Sequence, residues 1–388
     1  MTNKNKIIAV GPTTQNNTVV NGQSMMFQLI IDAFKGKGLD FKVIDIGTSI
    51  FKNTDNKVSG KFSIIKAIDY IFIIGRLFFV LILNQNQTLY LTTAQSKVGF
   101  IRDSIIIRLA KFFKYKIVAH QFGANYGGFY SAQSENLKYK IRNILNKCNN
   151  IIVEGDYTKK QFKFLNNFET KVISLPNGLP EKIQNDSISA KSIQNSTKIK
   201  LFYLSNLIES KGYWDVLEAI NILVNDFKFD IDGVFAGKFL ASVDDDKFEN
   251  IEVAKNAFFN YIDDHKLNNN VRYYKGLYGK DKALEFESAH FFLLPSYYIN
   301  EGQPVSVLEA LAYGCVPIVT NYRLIPMMVN IHNGVFVNPK SPNEIAESIK
   351  KLVLDSEKYE IMSKSGIDYY LNNFTPEIYT TKLIEILN

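Results

Sequence analysis

Twice along this chain a short run of β-branched and aromatic residues leads into a longer segment whose apolar residues recur at helical spacing. The first block opens with KIIAVG (6–11). A loop with Asn21-Gly22 follows, then 23–38, where Met26, Leu29, Ile30 and Phe34 share one helical face and glycines close the segment. Strand-like runs then come at 41–47, 88–93, 116–123 and 149–155, with a helical stretch at 99–114. The rhythm restarts at 198–206, continues through a helical 211–226, and supplies further strand-like runs at 231–237, 270–276, 290–296, 315–321 and 334–339. Strands alternating with helices form parallel sheets covered on both faces. Two restarts predict an α/β architecture of two Rossmann-like domains facing a cleft. Ligands in such sheets bind at the carboxyl ends of the strands.

Between the blocks lies PEKIQNDSISAKSIQNSTK (180–198), polar and rich in Ser and Asn, which reads as an inter-domain linker. Neither opening strand is followed by G-x-G-x-x-G, which argues against a dinucleotide enzyme. The two cysteines, Cys148 and Cys315, have no paired spacing, so neither a disulfide framework nor a zinc site is expected. The apolar run near the start is too short for a signal-peptide core. A reducing cytoplasm is the expected location.

The net charge is +7, and one segment accounts for it. Residues 97–147 hold ten cations (Lys97, Arg102, Arg108, Lys111, Lys114, Lys116, Lys138, Lys140, Arg142, Lys147) against Asp103 and Glu135, a local +8. A basic face suits nucleic acid, an anionic membrane or an anionic substrate. No nucleic-acid-binding signature accompanies it, so nucleic acid is not expected as a partner. Beside it, FSIIKAIDYIFIIGRLFFVLIL (62–83) is very apolar but is interrupted by Lys66, Asp69 and Arg76. It is too broken to span a bilayer, which needs about 20 apolar residues. It fits a buried helix of the first sheet, or a helix lying on a membrane surface.

The chemistry gathers in SYYINEGQPVSVLEALAYGCVPIVTN (296–321). Pro304 suits the first turn of a helix with Val305, Leu308, Leu311 and Ala312 as its core stripe and Gly314 as its end. Its N-terminus, following a strand, is a ready anion site suited to phosphate. Glu301 stands just before that start and Glu309 one to two turns inside. Ser306 and Glu309 also fit a capping box, which needs no ligand. SNLIESKG delivers Lys211 to another helix start, where it can neutralise a diphosphate or simply be a solvated charge. His120 ends the strand KIVAH, a position that is structural as readily as functional. Asp244-Asp245-Asp246 and Asp263-Asp264 stand in polar segments and read as solvated faces, so no metal site is expected.

Glu301 and Glu309 form E-x7-E. With AHQFG at 119–123, LPNG at 175–178, SKG at 210–212 and AG at 236–237 preceding it in this order, the chain resembles the retaining glycosyltransferases of family 4, which have the GT-B fold. The resemblance spans nearly the whole chain. It implies a nucleotide-diphosphate sugar donor such as a UDP-sugar, no metal, and no other cofactor. It implies that Glu301 lies by the donor sugar, that His120 contacts that sugar, and that Lys211 binds the diphosphate with the helix start at Gln303, Pro304 and Val305. Glu309 would hold the ribose hydroxyls. Gly302, Asn206, Gly22 and Gly237 complete the implied donor contacts. Asn206 stands where the family usually has Arg, and Asn21-Gly22 where it often has Gly-Gly. The expected division is an acceptor-binding domain at 1–180, a linker at 181–197, a nucleotide-sugar domain at 198–372, and a C-terminal helix, 373–388, returning to the first domain. The expected activity is transfer of a hexosyl or N-acetylhexosaminyl group to a glycan, lipid-linked, in bacterial surface polysaccharide synthesis of the lipopolysaccharide O-antigen or capsule type. The enzyme would sit peripherally on the inner face of the plasma membrane. A nucleotide-sugar epimerase and a non-catalytic nucleotide-sugar- or glycan-binding scaffold are the alternatives.

Overall fold

The computed structural model describes residues 6–14, 22–47, 64–84, 87–181, 183, 188–194, 196–242 and 245–388, with the side chains of 64–67 also left out. The chain divides into two units, residues 1–181 with 376–388, and residues 182–375. In the first, the order is β1 (Ile7–Gly11), α1 (Gly22–Gly36), β2 (Phe41–Asp45), α2 (Ile64–Leu83), β3 (Thr88–Thr93), α3 (Lys97–Phe112), β4 (Lys116–Gln121), α4 (Tyr126–Ser131), α5 (Glu135–Leu145), β5 (Asn150–Val153), α6 (Asp156–Lys159), α7 (Phe168–Lys171) and β6 (Val172–Ser174). The second unit runs β7 (Ile199–Leu204), α8 (Tyr213–Asn221), β8 (Ile231–Ala236), α9 (Ile251–Asp264), β9 (Val271–Tyr274), α10 (Gly279–Ser288), β10 (Phe291–Leu294), α11 (Val305–Ala312), β11 (Val316–Thr320), β12 (Val335–Val337), α12 (Pro342–Leu354) and α13 (Ser356–Asn373). The last helix, α14 (Pro376–Leu387), belongs to the first unit.

Each unit is built on a six-stranded sheet, ordered β2-β1-β3-β4-β5-β6 in the first and β12-β11-β10-β7-β8-β9 in the second. The strand pairs in both are parallel. The alternating strands and helices of the sequence therefore resolve into two doubly wound α/β units. In the second sheet β7 and β10 are neighbours, but their chains leave in opposite directions, to β8 and to β11. Such a reversal leaves a crevice beyond the carboxyl ends of the two strands.

Strand residues alternate between faces, so each sheet buries two sets of side chains. In the first unit Ile8, Val10, Leu89, Leu91, Ile117 and Ile151 pack against α2 and α3 through Leu77, Leu81, Ile106 and Ile107. The other set, Ala9, Tyr90, Val118 and Ile152, meets Phe27, Ile30 and Phe34 of α1 and Tyr379, Leu383 and Leu387 of α14. Burying each of those two leucines stabilises by about 1.5–3 kcal/mol. The Lys116 ammonium donates to the carbonyls of Ile386 and Leu387, at 3.1 Å each, and so caps the end of α14.

Four expectations change. Residues 188–194, read from composition as linker, pack within the second unit: Ile193 is buried, the Lys191 amide donates to Ser363 Oγ at 2.9 Å, and its ammonium donates to the carbonyls of Phe286 and Ala289. Arg102 does not belong to the basic face. It is buried and donates from Nε and Nη2 to one oxygen of Asp103, whose second oxygen accepts from the Ala94 amide at 2.9 Å. Val305 is half-buried, and the buried residues of α11 are the continuous run Val307 to Ala312. The apolar segment forms α2, which has two faces. Ile73, Leu77 and Leu81 are core, while Ile71, Phe72, Phe79 and Leu83 are exposed.

Candidate functional site

The crevice between β7 and β10 is where the second unit gathers its polar residues. After β7 the chain makes a single 3-10 turn, Glu209–Lys211, and reaches α8 through Gly212. Gly212 has φ +79, and a Cβ there would stand 2.7 Å from the Pro295 carbonyl. Only glycine lets the loop after β7 lie this close to the loop after β10. The Tyr297 amide donates to the Ser210 carbonyl at 2.7 Å and closes the seam. On the other side, Gly237 (φ +154) lets the loop after β8 approach the Ser205 carbonyl, where any Cβ would collide. Three neighbouring strands thus feed three loops that are knitted together. Asp245 tightens the knit, accepting from the Ser210 amide at 3.2 Å and the Ser242 amide at 2.7 Å. Glu209 does the same for the Lys247 amide, at 2.8 and 3.0 Å. Asp245 is a structural staple and not the solvated charge its polar surroundings suggested. Asp244 lies outside the described residues; Asp263 and Asp264 are exposed.

Glu301 sits in this crevice and is 4% exposed. One carboxylate oxygen takes the Lys211 ammonium at 3.4 Å and the other accepts from the Ser296 hydroxyl. Ser296 is itself fixed, since its carbonyl accepts from Thr320 and its Oγ from the Tyr298 amide at 3.3 Å. The Lys211 ammonium also stands 5.2 Å from the Tyr298 ring centre. A charge-assisted bond of this kind contributes about 1.5–3 kcal/mol, more than a neutral one. Lys211 is therefore no loose surface charge. Ser296 was missed from the sequence, because a serine at a strand end carries no signal of its own.

Pro304 is the N-cap of α11 rather than a residue of its first turn, and it makes no side-chain capping bond. Ser306 therefore falls inside the helix, and the Ser306–Glu309 capping box does not form. Gln303 is buried and Gly302 half-buried beside this start. No acidic residue occupies the first turn. The positive end of the helix dipole and the first-turn amides thus remain suited to an anion. Glu309, 8% exposed, meets Lys282 of α10, with its Oε1 2.6 Å from the ammonium. Lys282 also escaped the sequence reading. Asn206 is exposed at the end of β7, and its carbonyl accepts from the Tyr203 hydroxyl at 3.3 Å.

The remaining two candidates lie in the first unit. His120 is the next-to-last residue of β4, fully buried. Its Nδ1 is 2.8 Å from the Tyr90 hydroxyl, its ring stacks on Phe122 at 4.1 Å, and its Nε2 has no partner among the described residues. Burial lowers its pKa to about 3, so the ring is neutral at physiological pH. Gly22 is the exposed first residue of α1, with open space around it, so nothing described there requires glycine; Asn21 lies outside the described residues. Among the described residues no cluster of His, Cys, Asp or Glu could hold a metal ion.

Residues 184–369, nearly all of the second unit, match the family model described as Glycosyl transferases group 1. An uncharacterized glycosyltransferase of Methanocaldococcus jannaschii is 24% identical over 274 residues, 68% of this chain and 66% of that protein. The chain thus spans just under two thirds of that relative's length. Among solved structures, a glycosyltransferase from Rickettsia africae superposes with a TM-score of 0.70 at 15% identity, covering 99% of this chain and 98% of its own. Anabaena HepE in complex with UDP superposes with a TM-score of 0.68 at 12% identity, covering 98% and 99%. The fold is that of GT-B glycosyltransferases. The likeness in sequence covers the second unit, and the likeness in fold covers the whole chain.

Proposed function

We propose that the chain is a retaining glycosyltransferase of family 4 that moves a sugar from a nucleotide-diphosphate donor to a glycan acceptor without a metal ion. The observation that carries this reading is the Lys211–Glu301–Ser296 arrangement at the β7/β10 crevice, directly before the uncapped start of α11. Transfer breaks the bond between C1 of the sugar and the diphosphate oxygen. The electron pair stays on the diphosphate, and positive charge builds on the ring. In this reading Lys211 and the first amides of α11 stabilise the leaving diphosphate, and Glu301, oriented by Ser296, stabilises the ring. The acceptor hydroxyl forms the new bond on the face the diphosphate leaves, and its proton passes to the departing phosphate oxygen. Glu309 receives the ribose hydroxyls. UDP is the first nucleotide to try, since Anabaena HepE, which shares the fold, has been crystallised with UDP and with UDP-glucose.

The acceptor in this reading is a lipid-linked glycan of bacterial surface polysaccharide synthesis, met at the membrane surface. Support comes from the outer face of α2, where Phe72, Phe79 and Leu83 are exposed, and from Ile101 and Phe112 on α3. Arg76, Arg108, Lys111 and Lys114 are exposed on or next to the same two helices. An inserted apolar face and cations near an anionic leaflet act together, each cation contributing about 1 kcal/mol. No helix among the described residues is long and apolar enough to cross a membrane. Incubation with a panel of nucleotide sugars and lipid-linked acceptors tests the reading. Transfer supports it, isomerisation of the donor would indicate an epimerase, and binding without turnover would indicate a scaffold.

A further inference from the structure

We propose that Lys282 is a positioning residue for nucleotide recognition, holding Glu309 in the orientation in which it accepts the ribose hydroxyls. The inference rests on the nucleotide-sugar reading above and adds a residue to it.

The geometry is set by two helices lying side by side. One turn after Lys282 in α10 comes Phe286, and one turn after Glu309 in α11 comes Tyr313. Phe286 and Tyr313 stack with ring centres 5.5 Å apart and planes 2° from parallel. Phe286 is fully buried and also meets Phe202 of β7, at 4.9 Å, and Phe292 of β10. This aromatic layer fixes the two helices in register, and the register delivers the Lys282 ammonium to Glu309. The side chains are only 13% and 10% exposed, and the contact is 2.6 Å. By comparison, Lys211 stands 3.4 Å from Glu301.

A carboxylate has about four lone-pair directions, and one lysine bond uses one of them. A pair of neighbouring ribose hydroxyls needs two. What the lysine supplies is constraint and counter-charge. Removing the cation from a nearly buried ion pair removes a contact that fixes the carboxylate. The carboxylate then turns away and is lost as an oriented acceptor. Lys282 thus acts through Glu309 and need not touch the nucleotide.

The test compares UDP with 2′-deoxy-UDP, by calorimetry, on the full chain and on three variants: Glu309→Gln, Lys282→Met and Lys282→Arg. A hydroxyl bonded to a charged acceptor is worth about 1.5–3 kcal/mol, so the wild type should prefer UDP by roughly tenfold or more. The inference expects that preference to collapse in Glu309→Gln and in Lys282→Met, and to return at least in part in Lys282→Arg. A purely structural salt bridge would weaken both ligands equally and leave the ratio intact. Collapse in Glu309→Gln with an intact ratio in Lys282→Met overturns the inference and leaves the ribose role of Glu309 standing. An intact ratio in Glu309→Gln, or no preference in the wild type, overturns both. Should Lys282→Met fail to fold, Lys282→Gln replaces it, with the same collapse expected and the same intact ratio counting against the proposal.

Discussion

His120 gives the first unit a built-in acid sensitivity whose size follows from its surroundings. In the folded chain the imidazole is fully buried, hydrogen-bonded to Tyr90 and stacked on Phe122, and its pKa is lowered to about 3. In the unfolded chain it returns to about 6.5. Because the folded value is the lower one, the unfolded state binds the extra proton. The stability contribution is complete above pH 6.5 and is lost as pH falls from 6.5 toward 3. Each unit in that window costs about 1.4 kcal/mol. Between pH 7 and pH 5 the loss is therefore about 2 kcal/mol. His120→Gln, which keeps a hydrogen-bonding group but cannot titrate, should lack this increment. Hydrogen exchange of the β3 and β4 amides, corrected for intrinsic rates, reads opening of this unit directly. The wild type should lose about 2 kcal/mol more opening free energy over that pH range than His120→Gln. Equal losses in the two proteins would refute the reasoning, as would a His120 ring resonance titrating near 6.5 in the folded protein.

Other consequences can be checked in parallel. Gly237→Ala should destabilise the second unit by at least about 1–3 kcal/mol, because neither its backbone angle nor the Ser205 carbonyl accommodates a Cβ. Urea unfolding followed by fluorescence of Trp214, the one tryptophan of the chain, reads this; a shift below about 0.5 kcal/mol would count against it. Replacing Phe72, Phe79 and Leu83 with Asp should abolish binding to vesicles containing anionic lipid and leave UDP binding unchanged. Retention on the vesicles would show that α2 is not the membrane face. Ser296→Ala should lower turnover by roughly tenfold, the loss of one bond to a charged group, with UDP affinity little changed; unaltered turnover would remove Ser296 from the support of Glu301.

The fold was legible because its determinants are local. Strands of parallel sheets are buried on both faces and read as apolar runs, and helices announce themselves by spacing. Which strand neighbours which is a matter of long-range pairing, and the crevice between β7 and β10 appears only once the order is known. At the candidate site Glu301, Glu309 and Lys211 stood out because they recur at fixed offsets from helix starts. Their partners did not. Ser296 looks like an ordinary strand end, and Lys282 in GKDKALEFES looks like one more solvated charge. Arg102 failed in the opposite sense: counted by sequence it belongs to a basic face, but folded it is buried against Asp103. Burial and pairing of charges are tertiary facts, and charge counts do not contain them.

The central claim is that the crevice of the second unit binds a nucleotide-diphosphate sugar through Lys211 and uses Glu301 on the sugar it carries. The measurement that tests it most directly follows UDP-sugar binding and turnover in one protein set, with chelator present throughout. Wild-type protein should bind and release UDP. Lys211→Met should weaken UDP binding by roughly tenfold or more, the loss of a charge-assisted contact. Glu301→Gln should keep binding and lose nearly all turnover. Binding that is indifferent to Lys211, or turnover that survives Glu301→Gln or requires a divalent metal, would contradict the account.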